Sequence, residues 1–185
     1  ELGHPSLLVG QHRAKLPDGR GAKALTEARD AGFLPEEVFN FLSLIGWNPG
    51  TEQDLFAQTE LIETFTFSGI QKHGAIFNEE KLRWFNREYL LKKPAEEFSA
   101  YAAPVLKEAL AERGITDMPA TTLDKLMPMI RERISVSDDI RTMAAAAEWD
   151  SYFKQPVVDA ALSPFKGGSA ADPIKSLQHV KEAFF

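Results

Sequence analysis

The sequence predicts an all-α protein. From Leu25 onward, apolar residues return at three- and four-residue spacing, proline or paired carboxylates open one segment after another, and glycines close them. The clearest unit is Gly32-Phe33-Leu34-Pro35-Glu36-Glu37-Val38-Phe39-Asn40-Phe41-Leu42-Ser43-Leu44-Ile45-Gly46-Trp47. Proline suits the first helical position, where its missing N–H costs nothing, and first-turn carboxylates oppose the positive end of the helix dipole. The spacing predicts a helix over 35–45, with Val38, Phe41, Leu42 and Ile45 buried and Gly46 as the stop.

Residues 1–22 read as irregular, with Leu7–Gly10 a short strand and Pro17-Asp18-Gly19 a turn. Lys23 or Thr26 opens a short helix that runs through Arg29 and closes near Gly32. Asn48-Pro49-Gly50-Thr51 is a loop. Thr59 caps a helix over Glu60–Phe65, although Ile62 stands where a capping box would place Glu or Gln. Gly69 and Gly74 mark a connector. Asn78 caps a helix to about Lys92, with Leu82, Phe85 and Tyr89 on its buried stripe. Pro94 opens the next helix, which carries Phe98, Tyr101, Ala102, Val105, Leu106, Ala109 and Leu110. Pro104 should kink or split it, and Gly114 ends it. Thr122–Ile134 is helical and bent by Pro128, and Ser137 caps a helix from Asp138 to about Glu148. Residues 152–168 are mostly loop. Residues 173–185 form a terminal helix whose Ile174, Leu177, Val180 and Phe184 need a partner, which predicts that more protein follows. The start at Glu1 predicts a fragment or a processed chain. Domain boundaries are expected near 92–120 or 154–172.

A length of 185 residues suits one large domain or two small ones with a real core. Without cysteine there is no disulfide, thiolate ligand or cysteine nucleophile. No apolar run approaches membrane-spanning length and no targeting pattern opens the chain, so a soluble, cytoplasmic protein without a membrane partner is expected. A net charge of −6 argues against a uniformly basic nucleic-acid binder. A local basic face still acts on a bound backbone within a Debye length of about 8 Å.

His4, His12, His73 and His179 are scattered, and no metal-ligand spacing appears. The pairs Glu36-Glu37, Glu79-Glu80 and Glu96-Glu97 fall in first helical turns, where the dipole accounts for them better than acid–base catalysis does. No serine sits in a nucleophile-elbow context, and Gly19-x-Gly21 is too short for a phosphate loop. Arg83 and Arg87, one helical turn apart, could contact phosphates. Pairing within a solvated face is the plainer reading of residue chemistry alone.

The string G-F-L-P-E, N-F-L and G-W-N-P-G (residues 32–50), followed by Asp54-Leu55-Phe56, Glu60-Leu61-Ile62 and Phe65, resembles bacterial glutamyl-tRNA synthetases just after their second ATP signature. The block Phe77-Asn78-Glu79-Glu80-Lys81-Leu82-Arg83-Trp84-Phe85-Asn86-Arg87-Glu88-Tyr89-Leu90 is similar to another block of that family, in the expected order. Residues 93–185 agree more weakly, through helix pattern, Arg141 and the aromatics Trp149, Tyr152 and Phe153. The resemblance implies that residues 1–22 are a remnant of the catalytic domain's signature loop. It implies that residues 23–92 are a helical stem-contact domain and that residues 93–185 begin an α-helical anticodon-binding domain. At the second signature, Lys15, Leu16, Gly21 and Ala22 match, but Pro17 and Asp18 replace a serine and a lysine. A cation facing ATP thus becomes an anion, for which Arg20 is a partial substitute.

The implied partners are a glutamate-accepting tRNA and the missing catalytic domain of the same enzyme, with no DNA. ATP and magnesium belong to the full-length enzyme; this chain is expected to hold no cofactor or metal and to be inactive alone. The implied tRNA contacts are Lys15, Arg20, Lys23, Arg83, Arg87 and Lys92, with Lys72 weaker, whereas Phe41, Trp47, Trp84 and Phe85 are assigned to core. The competing readings are a stand-alone helical RNA- or protein-binding module derived from this domain and a purely structural helical domain.

Overall fold

The computed structural model describes Leu8–Val9, residues 25–71 and residues 75–154. The expectations for Lys15, Arg20, Lys23, Lys72 and the terminal helix lie outside the described residues. Seven α-helices are described: α1 (Leu25–Asp30), α2 (Pro35–Leu44), α3 (Gln58–Thr64), α4 (Glu79–Lys92), α5 (Ala95–Glu112), α6 (Ala120–Arg133) and α7 (Ser137–Ala145). Two minimal strands, β1 (Leu8–Val9) and β2 (Ala75–Ile76), pair in parallel with Leu8 opposite Ala75. The architecture is all-α, as the periodicity predicts. The partner of β1 falls in what reads by sequence as a connector, because two residues leave no periodic trace. Residues 1–150 form one compact unit and residues 151–185 a second, of which 151–154 are described.

Helix α2 starts as its sequence dictates, with Pro35 at its first position and Glu36 and Glu37 in the first turn. Its buried face differs from the expected stripe. Glu37, Asn40 and Phe41 are buried, Val38 and Ile45 are half-buried, and Leu42 is 41% exposed. Phe33 and Leu34, just before the helix, take up core positions instead. Phe33 and Phe41 join Ala28, Leu82, Phe85 and Val136 in one apolar cluster, with Phe41 edge-on to both Phe77 and Phe85. Beside it, Trp47, Phe56 and Leu61 form a smaller cluster, and the Trp47 indole donates to the carbonyl of Thr66 at 3.0 Å. A Cβ on Gly69 would lie 2.5 Å from that indole nitrogen, so the loop closes on Trp47 only with glycine there.

Helix α3 begins at Gln58, not behind a Thr59 cap; the Glu60 carboxylate reaches back to the Ala57 N–H at 2.6 Å. Asn78 caps α4 as expected, accepting from the Lys81 N–H at 3.1 Å. Helix α5 is one continuous element across Pro104, and α6 runs across Pro128. Both prolines are exposed, as are Ala100 and Asp124 one turn before them, so the missing helical bonds fall on the solvent side of each helix and not in its core. Helix α5 packs against α6 and α7 through Phe98, Ala102, Leu106, Leu110, Leu126, Ile130 and Ile140, all essentially inaccessible to solvent. Ser137 is the first residue of α7 and not its cap; Asp139 caps the helix from inside by accepting from the Ser135 and Val136 N–H groups.

Candidate nucleic-acid interface

The predicted contact residues on α4 have a defined setting. Leu82 and Phe85 turn one face of the helix into the core, which places Arg83, Asn86 and Arg87 along the side that meets the α6–α7 junction. Arg83 Nη2 lies 2.6 Å from Asp139 Oδ1. Arg87 donates from Nη2 to the carbonyl of Glu132 at 2.6 Å and from Nη1 to that of Ile134 at 3.2 Å. Between them the buried Asn86 amide accepts from the Leu34 N–H at 2.8 Å and donates to the Ser135 carbonyl.

Three residues of one helix thus hold two distant turns. The C-terminal carbonyls of α6 gain a guanidinium, which also suits the negative end of that helix. Burial alone would raise the Asp139 carboxyl, but the Ser135 and Val136 N–H groups and Arg83 outweigh it and hold its pKa below the ordinary value. Tyr101 donates to the carbonyl of Gly32 at 2.5 Å. Asp138 donates its backbone N–H to the carbonyl of Ala31. Gly32 itself has φ +84°, and a Cβ there would fall 1.8 Å from Ser137 Oγ. The glycine that sequence reading takes as a helix stop is also the contact point of α7.

Arg83 and Arg87 are therefore engaged within the molecule, although the Arg83 side chain keeps 37% of its surface exposed. Lys92 differs: it is exposed at the end of α4 and has no ion-pair partner among the described residues. Its neighbour Lys93 pairs with Glu36 at 2.8 Å. Arg131 caps the same helix end through the carbonyls of Leu91 and Lys93 and lies over the Phe98 ring. Trp84, assigned to core by its type, is 42% exposed, because the residue after Arg83 faces away from both the core and the α6–α7 junction. Phe41, Trp47 and Phe85 are buried as expected. Asn86 and Asp139 organise this region, and only Asn86 lies in a stretch that the sequence singles out. Among the described residues, no group of three or more His, Cys, Asp or Glu could hold a metal ion. No described helix is long and apolar enough to cross a membrane.

Residues 2–84 match the family model described as tRNA synthetases class I (E and Q), catalytic domain. A glutamate–tRNA ligase of Desulforudis audaxviator is 34% identical over 147 residues, 78% of this chain and 29% of that protein. The enzyme of Phocaeicola vulgatus is 41% identical over 139 residues, covering 75% of this chain and 26% of its own length. A glutamate–tRNA ligase 2 of Caldanaerobacter subterraneus is 31% identical over 176 residues, 90% of this chain and 36% of the relative. The crystal structure of a glutamate tRNA ligase from Elizabethkingia meningosepticum in complex with its amino acid superposes with a TM-score of 0.69 at 24% identity, over 97% of this chain and 37% of that one. The Elizabethkingia anophelis glutamate–tRNA synthetase gives 0.66 at 23% identity, over 97% of this chain and 41% of its own. These two likenesses bear on the fold alone. Sequence matches over three-quarters or more of the chain, together with the three ordered motif blocks, show that the chain belongs to the glutamyl-tRNA synthetase family, spanning 26–36% of the length of these relatives.

Proposed function

We propose that this chain is a tRNA-contacting part of a cytoplasmic glutamyl-tRNA synthetase, acting with the family's nucleotide-binding catalytic fold to join glutamate to its tRNA with ATP and magnesium. The observation that carries this reading is 34–41% identity to glutamate–tRNA ligases across three-quarters of the chain. On this reading residues 23–92 contact the tRNA stem and residues 93–185 open the anticodon-binding region. Lys92 is the candidate contact on α4 that is left unpaired among the described residues. Arg83 and Arg87 contribute at the edge of the α4 junction, where spare guanidinium N–H groups can reach a phosphate without leaving Asp139 and the α6 carbonyls. Lys15, Arg20 and Lys23 complete the cationic set. Asp18, standing where the family places a signature lysine, makes unaided ATP chemistry by this chain unfavourable.

The test is binding of the folded chain to transcribed glutamate tRNA across a salt series. Micromolar or tighter binding that weakens with salt is expected, because phosphate contacts release counterions. Lys92→Glu should weaken binding for every tRNA alike and lower the salt slope by about 1 while leaving the melting temperature unchanged. No binding at low salt, or binding indifferent to salt, would reject the proposal. Glutamylation of tRNA by the chain alone is expected to be undetectable, and measurable charging would reject the assignment of chemistry to the catalytic fold.

A further inference from the structure

A cavity of about 850 Å³ opens between the end of α4, the first turns of α5 and the face of α6. Its walls include Leu91, Phe98, Met127 and Pro128, and its rim carries the carboxylates of Glu96, Asp124 and Glu132. All three acids are exposed, and none has an ion-pair partner among the described residues. The single lining cation, Arg131, is committed to the carbonyls of Leu91 and Lys93 and to the Phe98 ring. Glu96 is explained by the dipole of α5. Glu132 is not: it lies in the last turn of α6, where the helix dipole disfavours a carboxylate. Pro128, in the same wall, offers no N–H to the carbonyl of Asp124 one turn earlier, which removes that carbonyl's usual helical donor.

We propose that this cavity is a docking site for a short segment of a protein partner that inserts a large apolar side chain flanked by lysine or arginine. The volume lies in the range of ligand-binding clefts, and the apolar walls of this open cleft give it something to bury. Three unpaired carboxylates around an apolar floor select a cation-flanked occupant and repel a phosphate backbone, so the face suits a protein and not the RNA.

The probe is a fluorescein-labelled peptide of repeated Lys-Leu-Leu-Lys units, read by fluorescence anisotropy with the full chain, beside a matched Glu-Leu-Leu-Glu peptide. The lysine peptide should bind and the glutamate peptide should not. The triple variant Glu96→Gln/Asp124→Asn/Glu132→Gln should weaken binding at least tenfold. Neutralising three exposed acids elsewhere, Glu27→Gln/Glu52→Gln/Glu63→Gln, should change it less than twofold. Ser99→Phe, which fills the cavity mouth from α5, should abolish binding with the carboxylates intact; circular dichroism confirms that each variant folds. Equal losses in the two triple variants, undiminished binding to Ser99→Phe, or displacement of the peptide by tRNA would each overturn the proposal.

Discussion

At the scale of single residues, Glu36 and Glu37 look alike in the sequence and behave oppositely in the structure. Both belong to the first turn of α2. Glu36 stays at the surface and pairs with Lys93, whereas Glu37 is fully buried and neither of its oxygens has a hydrogen-bond partner. One turn on, Asn40 is also fully buried; its oxygen accepts from the Phe56 N–H and the Tyr89 hydroxyl, while its Nδ2 is left unpaired. Desolvation first, and the charge of Glu36 second, push the Glu37 carboxyl up to about 8. Across the interface Tyr89 is pushed up to about 12, by burial and then by Glu37, Glu36 and Glu60. The folded chain therefore keeps a proton on Glu37 through a range in which the unfolded chain, titrating near 4.5, has lost it. Stability from this group is fully present below about pH 4.5, declines as pH rises and levels off above about pH 8. Glu37→Gln, which removes the titration, should flatten that decline: its melting temperature relative to the parent should rise by a few degrees between pH 5 and pH 8. A parallel pair of curves across that window would show Glu37 to be ionised or solvated in the folded chain. The dipole logic of first-turn acids was legible. Which of two adjacent acids faces inward was not, because one step along a helix rotates a side chain by about 100° and the register of α2 is set by distant α4.

At the scale of elements, α4 does two jobs with one sequence. Its apolar stripe was legible through Leu82 and Phe85, and its start through Asn78. The role of Asn86 was not, since a polar residue beside two arginines reads equally well as surface. In the structure Asn86 joins the α1–α2 turn to the α6–α7 junction, contacts separated by 52 and 49 residues in sequence. Replacing it with alanine strands the buried Leu34 N–H and the half-buried Ser135 carbonyl and should cost on the order of 2–4 kcal/mol in urea unfolding. Asn86→Asp keeps an acceptor for Leu34 but sets a carboxylate against the Ser135 carbonyl, so it should not rescue. A loss below about 0.5 kcal/mol for the alanine variant, typical of surface changes, would mean that water replaces both bonds. The prolines of α5 and α6 teach the reverse lesson. Their sequence signal was strong, yet both helices run on through them: the prolines stand on the exposed side, and the apolar faces of both helices carry the continuity.

At the scale of the whole molecule, the α4 junction crosses the position near residue 92 at which family resemblance divides the chain. Arg83, Asn86 and Arg87 on one side are bonded to residues 132–139 on the other. Tyr101 of α5 and Asp138 of α7 return to the turn that precedes α2. Helices assigned to a stem-contact region and to an anticodon-binding region therefore share polar bonds, most of them half-buried, and residues 1–150 group as one unit. Bonds of this kind couple the two halves energetically, because losing the second half leaves the fully buried Asn86 amide without its acceptor and Arg83 and Arg87 without their partners. The expectation is a single cooperative unfolding transition for this unit. Native tryptophans report it from both sides: Trp47 is buried against Phe56 and Leu61, and Trp149 is buried beyond α7. With Trp84 replaced by phenylalanine, single-tryptophan chains keeping either Trp47 or Trp149 should each show a fluorescence midpoint in urea coincident with that same chain's loss of helical circular dichroism. Two separated midpoints would mean that the junction holds two independently folding domains in register without making them one. In that case Asn86→Ala should leave one midpoint unmoved; in a single cooperative unit it shifts both together.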